Sequence, residues 1–160
     1  MNIREYKPED HIQVENLLAE LQDLEAKIIP GMKPGKEMAE RYLRDAVLED
    51  VSEKEGKIFV AEQDRKVIGF LWVYVEKEPR DFMYTEPIYV FLHIGDFIVT
   101  RNFRGQGIGK ALMRAVENYA KEKGIDKIKL QATAKNIQAR EVYEKWDFEE
   151  DEVTLIKYLK

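Results

Sequence analysis

A cluster of glycines and cations in the second half of the chain has the composition of an anion-binding loop. Three of the nine glycines lie within five residues, in the segment Arg104-Gly105-Gln106-Gly107-Ile108-Gly109-Lys110. Glycines allow the backbone to curve around a phosphate without an intervening Cβ. The loop joins an apolar, strand-like segment to an amphipathic helical one, so free amides at the helix start would face the anion. We therefore predict a pyrophosphate-binding loop in which Arg104 and Lys110 add positive charge.

Two familiar nucleotide-binding motifs do not match this loop. A P-loop continues from Gly-Lys into Ser or Thr, whereas Ala111 follows Lys110 here and the glycine spacing differs. The dinucleotide motif Gly-x-Gly-x-x-Gly also fails, because these glycines occur at every second position. The structural alternative is a helix entry that only needs tight turns, but the strand–loop–helix context favours the anion site.

The composition argues against several other kinds of site. The 160 residues contain no cysteine, two histidines and one serine, Ser52. We therefore expect no disulfide, no thiolate or serine nucleophile and no metal. The 26 basic and 31 acidic residues give a net charge of −5, which argues against a nucleic-acid partner. No apolar run approaches the ~18 residues of a membrane span and the N-terminus lacks a signal-peptide pattern, so we expect a cytoplasmic protein without a membrane partner.

The spacing of apolar residues predicts one α/β domain over residues 1–160, with a mixed sheet and helices on both faces. The element order is β-α-α-β-β-β-α-β-α-β, with about six or seven strands. Predicted strands cover residues 2–7, 57–62, 66–75, 88–99, 127–133 and 153–159. Predicted helices cover residues 8–28, 36–49, 107–124 and 136–146. Gly95 and Asp96 interrupt the fourth strand, which indicates a bulge or a close backbone approach.

The glycine loop and a second motif downstream resemble those of the GNAT superfamily of N-acetyltransferases. The family's cofactor motif, Arg/Gln-x-x-Gly-x-Gly/Ala, is matched by Arg104, Gly107 and Gly109. Its second motif, Asn-x-x-Ala-x-x-x-Tyr-Glu-Lys-x-Gly-Phe, is matched at Asn136, Ala139, Tyr143, Glu144, Lys145 and Phe148. Asp147 stands where the family has glycine, and aspartate tolerates a left-handed conformation there better than most residues do. The resemblance covers essentially the whole chain.

This resemblance implies that acetyl-CoA binds between two splayed parallel strands, 88–99 and 127–133. The backbone of Phe97, Ile98 and Val99 would hold the pantetheine arm, and the amides of residues 104–110 would hold the pyrophosphate. An amide hydrogen near Ile98 would then stabilise the oxyanion of the tetrahedral intermediate.

The second motif implies further roles for residues of the last helix. Tyr143 is the family's general acid for the departing thiolate, although its helical spacing with Ala139 and Trp146 also suits a core aromatic. Asn136 and Ala139 belong to the cofactor motif, and Asn136 also suits a helix N-cap.

The attacking amine must be neutral, so the reaction needs a base or a chain of waters. His93 is the first candidate, because imidazole exchanges protons near neutral pH and some family members carry a base on this strand. A packed strand histidine is an equal alternative. Asp96 and Glu86 are weaker candidates, since either could be solvated or belong to the acceptor site.

The resemblance places the amine acceptor near residues 22–42 and 76–88. Acidic and aromatic side chains of the second segment could receive a cationic amine: Glu76, Glu78, Asp81, Phe82, Tyr84, Glu86 and Tyr89. A protein N-terminus, a lysine side chain, a polyamine and an amino sugar all stay open as acceptors. Family analogy implies a homodimer. The alternative function is a non-catalytic acyl-CoA sensor, against which Tyr143 and His93 argue.

Overall fold

The fold is built on a mixed sheet of five strands in the order β1-β2-β3-β4-β5. The computed structural model describes residues 1–79, 85, 88–157 and 159. The strands are β1 (Asn2–Glu5), β2 (Lys57–Gln63), β3 (Lys66–Pro79), β4 (Ile88–Val99) and β5 (Ile128–Leu130). Neighbouring strands run antiparallel except β4 and β5, which are parallel. The predicted mixed sheet is confirmed.

The helices follow the predicted order, with one internal irregularity. They are α1 (His11–Glu25), α2 (Gly35–Tyr42), α3 (Leu48–Glu53), α4 (Ile108–Lys123) and α5 (Ile137–Glu144). A π-helical turn over Leu43–Val47 joins α2 to α3, where the sequence predicts one continuous helix ending near residue 49. Among the described residues, no helix combines the length and the apolarity that a membrane crossing requires.

Each face of the sheet is covered by helices, and β3 is buried on both faces as predicted for an inner strand. One core lies between the sheet and α4, where the helix packs its apolar stripe on the strands through Ile108, Leu112, Met113, Val116, Tyr119 and Ala120. The other core lies under α1 and α2, which contribute Val14, Leu17, Leu18 and Ala39. Alternate residues of β3 enter alternate cores, because successive side chains of a strand point to opposite faces.

The prediction of a final strand over residues 153–159 is wrong for the described part of that segment. Residues 149–157 form no strand, and Val153, Leu155 and Ile156 are 71%, 90% and 69% exposed. A strand needs a neighbour whose backbone groups it can pair with. The edge strand β5 has only three residues instead of the predicted seven, so that edge of the sheet offers few such groups. The sheet accordingly has five strands rather than six or seven.

Candidate active site

A β-bulge interrupts β4 at the position that the sequence predicts. The register pairs Leu71 with Phe97 but Val73 with Ile94, so Gly95 and Asp96 together lie opposite Trp72. A Cβ on Gly95 would lie 2.1 Å from two carbons of the Trp72 ring, far inside van der Waals contact. The indole therefore packs directly against the Gly95 backbone, and only glycine leaves room for it.

Beyond this bulge, β4 separates from β5. The two strands pair only at Leu92, His93 and Ile94, which lie before the bulge. The amide of Thr100 donates to the Ile68 carbonyl of β3, at 2.9 Å. Because amide directions alternate along a strand, the Ile98 amide also faces β3, whereas those of Phe97 and Val99 face the other side. Backbone groups of β4 therefore line the gap between the two splayed strands.

The glycine loop lies at the end of this gap and begins α4. Gly105 and Gly107 have φ angles of +75° and +80°, a left-handed conformation that strains residues with a Cβ. Gly107 is the residue before the helix, and no side chain caps the first turn. The amides of that turn have no helical acceptor, so together with the helix dipole they favour a bound anion.

Arg104 supports the loop from the strand side. Its Nε donates to the Val99 carbonyl at 2.7 Å, and its Nη2 lies 3.4 Å from Glu20 Oε1. The Val99 carbonyl faces away from β3, in agreement with the alternation of the backbone groups described above. Gln106 donates from its side-chain amide to the Asn102 carbonyl at 3.3 Å. These contacts fix the path of the loop between β4 and α4.

The third glycine of the motif is required for a different reason. Gly109 has no positive φ, but a Cβ there would lie 3.0 Å from Phe97 Cζ and 3.1 Å from Trp146 Cη2. Phe97 and Trp146 pack against each other at a ring distance of 5.8 Å. Gly109 therefore lets α4 approach β4 and the segment that follows α5.

The second motif forms α5 and its ends. Asn136 caps the helix by accepting a hydrogen bond from the Ala139 amide at 3.3 Å, which confirms the predicted N-cap. Asp147 adopts the expected left-handed conformation, with a φ of 62°. Tyr143 packs edge-to-face against Trp146 and Phe148.

The Tyr143 phenol is held in its protonated form. Burial, and then the negative charge of Glu25, raise its pKa to about 12. The site therefore keeps a phenolic proton available for donation over the whole physiological pH range.

His93 contacts a carboxylate instead of packing among apolar side chains alone. Its Nδ1 lies 2.6 Å from Glu76 Oε2, and its ring stacks on Tyr74 at 4.9 Å. A carboxylate bonded to one ring nitrogen orients the imidazole and leaves the other nitrogen as a proton acceptor. This geometry is compatible with both the base and the packed-histidine interpretations. Glu86, one of the two weaker candidates for the base, lies outside the described residues.

A cavity of about 250 Å³, not predicted from the sequence, lies between α1, α2 and the β4 bulge. Its walls include the side chains of Leu18, Leu21, Met32, Met38, Glu25 and Asp96. Asp96 Oδ2 accepts hydrogen bonds from Trp72 Nε1 at 2.7 Å and from the Tyr42 hydroxyl at 2.9 Å.

Both cavity carboxylates hold protons more strongly than usual. Burial raises the pKa of Asp96, and burial together with the charge of Asp96 raises that of Glu25. The sequence did carry a signal for Glu25, which lies four residues after Leu21 and seven after Leu18, on the apolar stripe of α1.

The structure tests only part of the acceptor segment predicted around residues 76–88. Asp81, Phe82 and Tyr84 lie outside the described residues, as Glu86 does. Within the described part, Glu76 is bonded to His93 as given above. Residues 22–42 contribute to the new cavity through Glu25, Met32 and Met38.

Comparisons with known proteins agree with this architecture. The chain is 29% identical over 153 residues to the uncharacterised N-acetyltransferase YhfO of Bacillus subtilis, covering 94% of this chain and 91% of that one. It is 31% identical over 97 residues to the uncharacterised N-acetyltransferase YycN of the same organism, covering 60% of this chain but only 56% of YycN.

A predicted acetyltransferase from Clostridium acetobutylicum, solved with acetyl-CoA, shares the fold. The TM-score is 0.71 at 23% identity, with 98% of this chain and 95% of that chain covered. The model of the acetyltransferase (GNAT) family matches residues 18–148, which is well over half of the chain. This protein therefore belongs to the acetyltransferase (GNAT) family.

Proposed function

We propose that this protein transfers the acetyl group of acetyl-CoA to a primary amine. The observation that carries the proposal is the gap beyond the β4 bulge, which is bordered by backbone groups of β4 that face away from β3 and ends at the glycine loop. An extended pantetheine arm fits such a gap as an additional strand would. A pyrophosphate fits the amides at the start of α4. The family membership and the Clostridium relative solved with acetyl-CoA support this choice of ligand.

In this proposal, the Phe97 and Val99 backbones hold the pantetheine arm, and residues 104–110 hold the pyrophosphate. The predicted oxyanion donor near Ile98 is assigned to one of its two neighbours, because their amides face the gap while the Ile98 amide faces β3. Asn136 and Ala139 fix the start of α5 and thereby the position of Tyr143.

The proposed reaction is direct attack of the amine nitrogen on the thioester carbonyl. As the tetrahedral intermediate collapses, the carbon–sulfur bond breaks and the sulfur takes the proton of Tyr143. The raised pKa of this tyrosine supports the role, because the phenol carries its proton until the thiolate forms. His93, oriented by Glu76, is proposed as a proton acceptor on the route to solvent.

A thermal-shift comparison of CoA, acetyl-CoA, ATP and NAD tests the ligand. A ligand that binds only the folded protein at ~100 times its Kd adds about 2.7 kcal/mol to the free energy of unfolding, which a melting curve detects. We expect both CoA forms to raise the Tm and ATP and NAD to leave it unchanged. No shift with either CoA form, from a sample that melts cooperatively, would overturn the proposal.

Replacement of Tyr143 tests the chemistry. Loss of a general acid lowers kcat by about 10² to 10⁴. We expect this loss in Tyr143→Phe, with the Tm shift caused by acetyl-CoA retained. Tyr6→Phe is the matched control, since its hydroxyl contacts only His11 among the described side chains. Binding of acetyl-CoA by the wild type without turnover of any amine would instead favour an acyl-CoA sensor.

A further inference from the structure

The cavity beside the β4 bulge has mainly apolar walls and two carboxyl groups. Leu21, Met32 and Met38 supply apolar surface, and Glu25 and Asp96 supply the carboxyl groups. Its volume of about 250 Å³ lies just below the range of ~300–1,000 Å³ that is usual for small-molecule sites. The space therefore suits a slender ligand rather than a bulky one.

The two carboxyl groups that line this cavity, those of Glu25 and Asp96, would be stabilised in their charged forms by a bound cation. Asp96 has two donors, but both are bonded to Oδ2. No described side chain donates a hydrogen bond to Glu25 or forms an ion pair with it, so its charge is balanced by none of them. Two carboxylates around one space repel each other, and a shared cation relieves that repulsion. The described residues contain no group of three metal-ligating side chains, which makes an organic cation the better match.

The cavity also meets the gap along β4 at the position where the thioester is proposed to lie. Asp96, in its wall, directly precedes Phe97, whose amide faces the gap. The charge of Glu25 also reaches Tyr143, whose pKa it raises. A nitrogen held by the two carboxylates would thus lie near the proposed oxyanion donor and on the side of the site that faces the proposed acid.

The family resemblance places the amine acceptor in this part of the fold. We propose that the acceptor is a primary ammonium group on an unbranched apolar stem, held in this cavity by Glu25 and Asp96. The proposal rests on the acetyltransferase function proposed above. A free diamine and a lysine side chain share this chemistry. An amino sugar would place several hydroxyl groups against methionine and leucine side chains, which is costly. The two other polar side chains of the lining, Gln22 and Tyr42, already donate to the Lys33 carbonyl and to Asp96. A peptide N-terminus would bring a branched carbon and a polar backbone into the same narrow space.

One of the two carboxylates also takes part in the proton transfers of the proposed reaction. The ammonium group gives one proton to Glu25, and the neutral nitrogen then forms its bond to the thioester carbonyl carbon. When the carbon–sulfur bond breaks, its electron pair stays on sulfur, which takes the Tyr143 proton. The nitrogen loses its second proton to the resulting phenolate, and Glu25 releases its proton to solvent along the route proposed above for His93. One ammonium ion and one thioester thus give one amide, one thiol and one proton.

An acceptor panel, read by thiol release and by the mass of the product, tests the proposal. The arms are pentane-1,5-diamine, a peptide with a blocked N-terminus and one lysine, a lysine-free peptide with a free N-terminus, and glucosamine. We expect acetylation in one or both of the first two arms, which also separates the free amine from the lysine side chain. Acetylation of only the last two arms, or of none while acetyl-CoA still raises the Tm, would overturn this proposal alone. No Tm shift with acetyl-CoA would overturn the acetyltransferase function as well.

Two variants test the cavity itself. Glu25→Gln keeps the shape but removes the charge, so we expect KM for the amine to rise at least about tenfold, as for a lost charged hydrogen bond. Met38→Trp fills the cavity and should also raise this KM. Both variants should keep the Tm shift caused by acetyl-CoA. Glu117→Gln removes an equal charge from the exposed face of α4 and serves as the control. Equal KM values for Glu25→Gln and Glu117→Gln would overturn the assignment.

Discussion

Replacing Gly95 with alanine should destabilise the protein much more than its surface position suggests. The new Cβ would lie 2.1 Å from Trp72 ring carbons, whereas carbon atoms in contact lie about 3.5–4.0 Å apart. The indole must therefore move by roughly 1.5 Å, which takes Nε1 out of its 2.7 Å hydrogen bond with Asp96. Overpacking costs about 1–3 kcal/mol, and a buried group left without its partner costs about 1–3 kcal/mol more. We expect a total loss of about 2–6 kcal/mol in the free energy of unfolding.

Urea denaturation of a double-mutant cycle isolates this contact. Trp72→Phe removes the ring atoms that a Cβ at position 95 would meet, so Gly95→Ala should cost far less in that background. The coupling between the two substitutions should exceed about 1 kcal/mol. Gly124→Ala is a control, because its Cβ meets nothing within 4 Å and the substitution carries only the cost of a left-handed residue. Equal costs of Gly95→Ala in both backgrounds would refute the steric argument.

Three further outcomes are expected. The hydrogen bond from Arg4 lowers the pKa of Asp10. The stabilisation that Asp10 gives to the fold is therefore complete above its unfolded-state pKa of about 3.9 and is lost as the pH falls through the lower folded-state pKa. Asp10→Asn should lower the free energy of unfolding, measured by urea denaturation, by about 2 kcal/mol at pH 7 and by clearly less at pH 3. Because the pKa of Tyr143 is raised to about 12, loss of the phenolic proton should cause no decline of kcat up to pH 10. A decline of kcat near pH 9 that disappears in Tyr143→Phe would contradict this raised pKa. Gly107→Ala should lower the free energy of unfolding by about 1 kcal/mol, because the φ angle at this residue is +80°. It should also reduce the Tm shift caused by acetyl-CoA. An unchanged Tm shift would show that the glycine loop does not bind the pyrophosphate.

Much of the proposed cofactor site could be predicted from neighbouring residues in the chain. The glycines at 105 and 107 indicate a sharply curved loop, and their positive φ angles give the backbone such a path. Gly95 and Asp96 predict the bulge, and Asn136 predicts the N-cap of α5. These features depend on the conformations that single residues tolerate, so the sequence alone predicts them.

The strand pattern was less informative at the end of the chain. Val153, Leu155 and Ile156 have the composition of a strand, yet they lie exposed and unpaired with any described strand. Apolar composition indicates that a segment could enter a sheet, but pairing also needs unpaired backbone groups at a strand edge. The length of β5 is a property of the packed sheet.

The residue types and their local order thus determined the family, the glycine loop and the bulge. Only the tertiary structure decided where the acceptor is proposed to bind. Glu25, Tyr42, Trp72 and Asp96 are distant in the chain, and they come together only when α1 and α2 pack on β3 and β4. From the local sequence pattern, each of these side chains is predicted to be an ordinary surface or core residue. Their shared environment, with two carboxylates in one apolar cavity, arises from burial and proximity that no single segment contains.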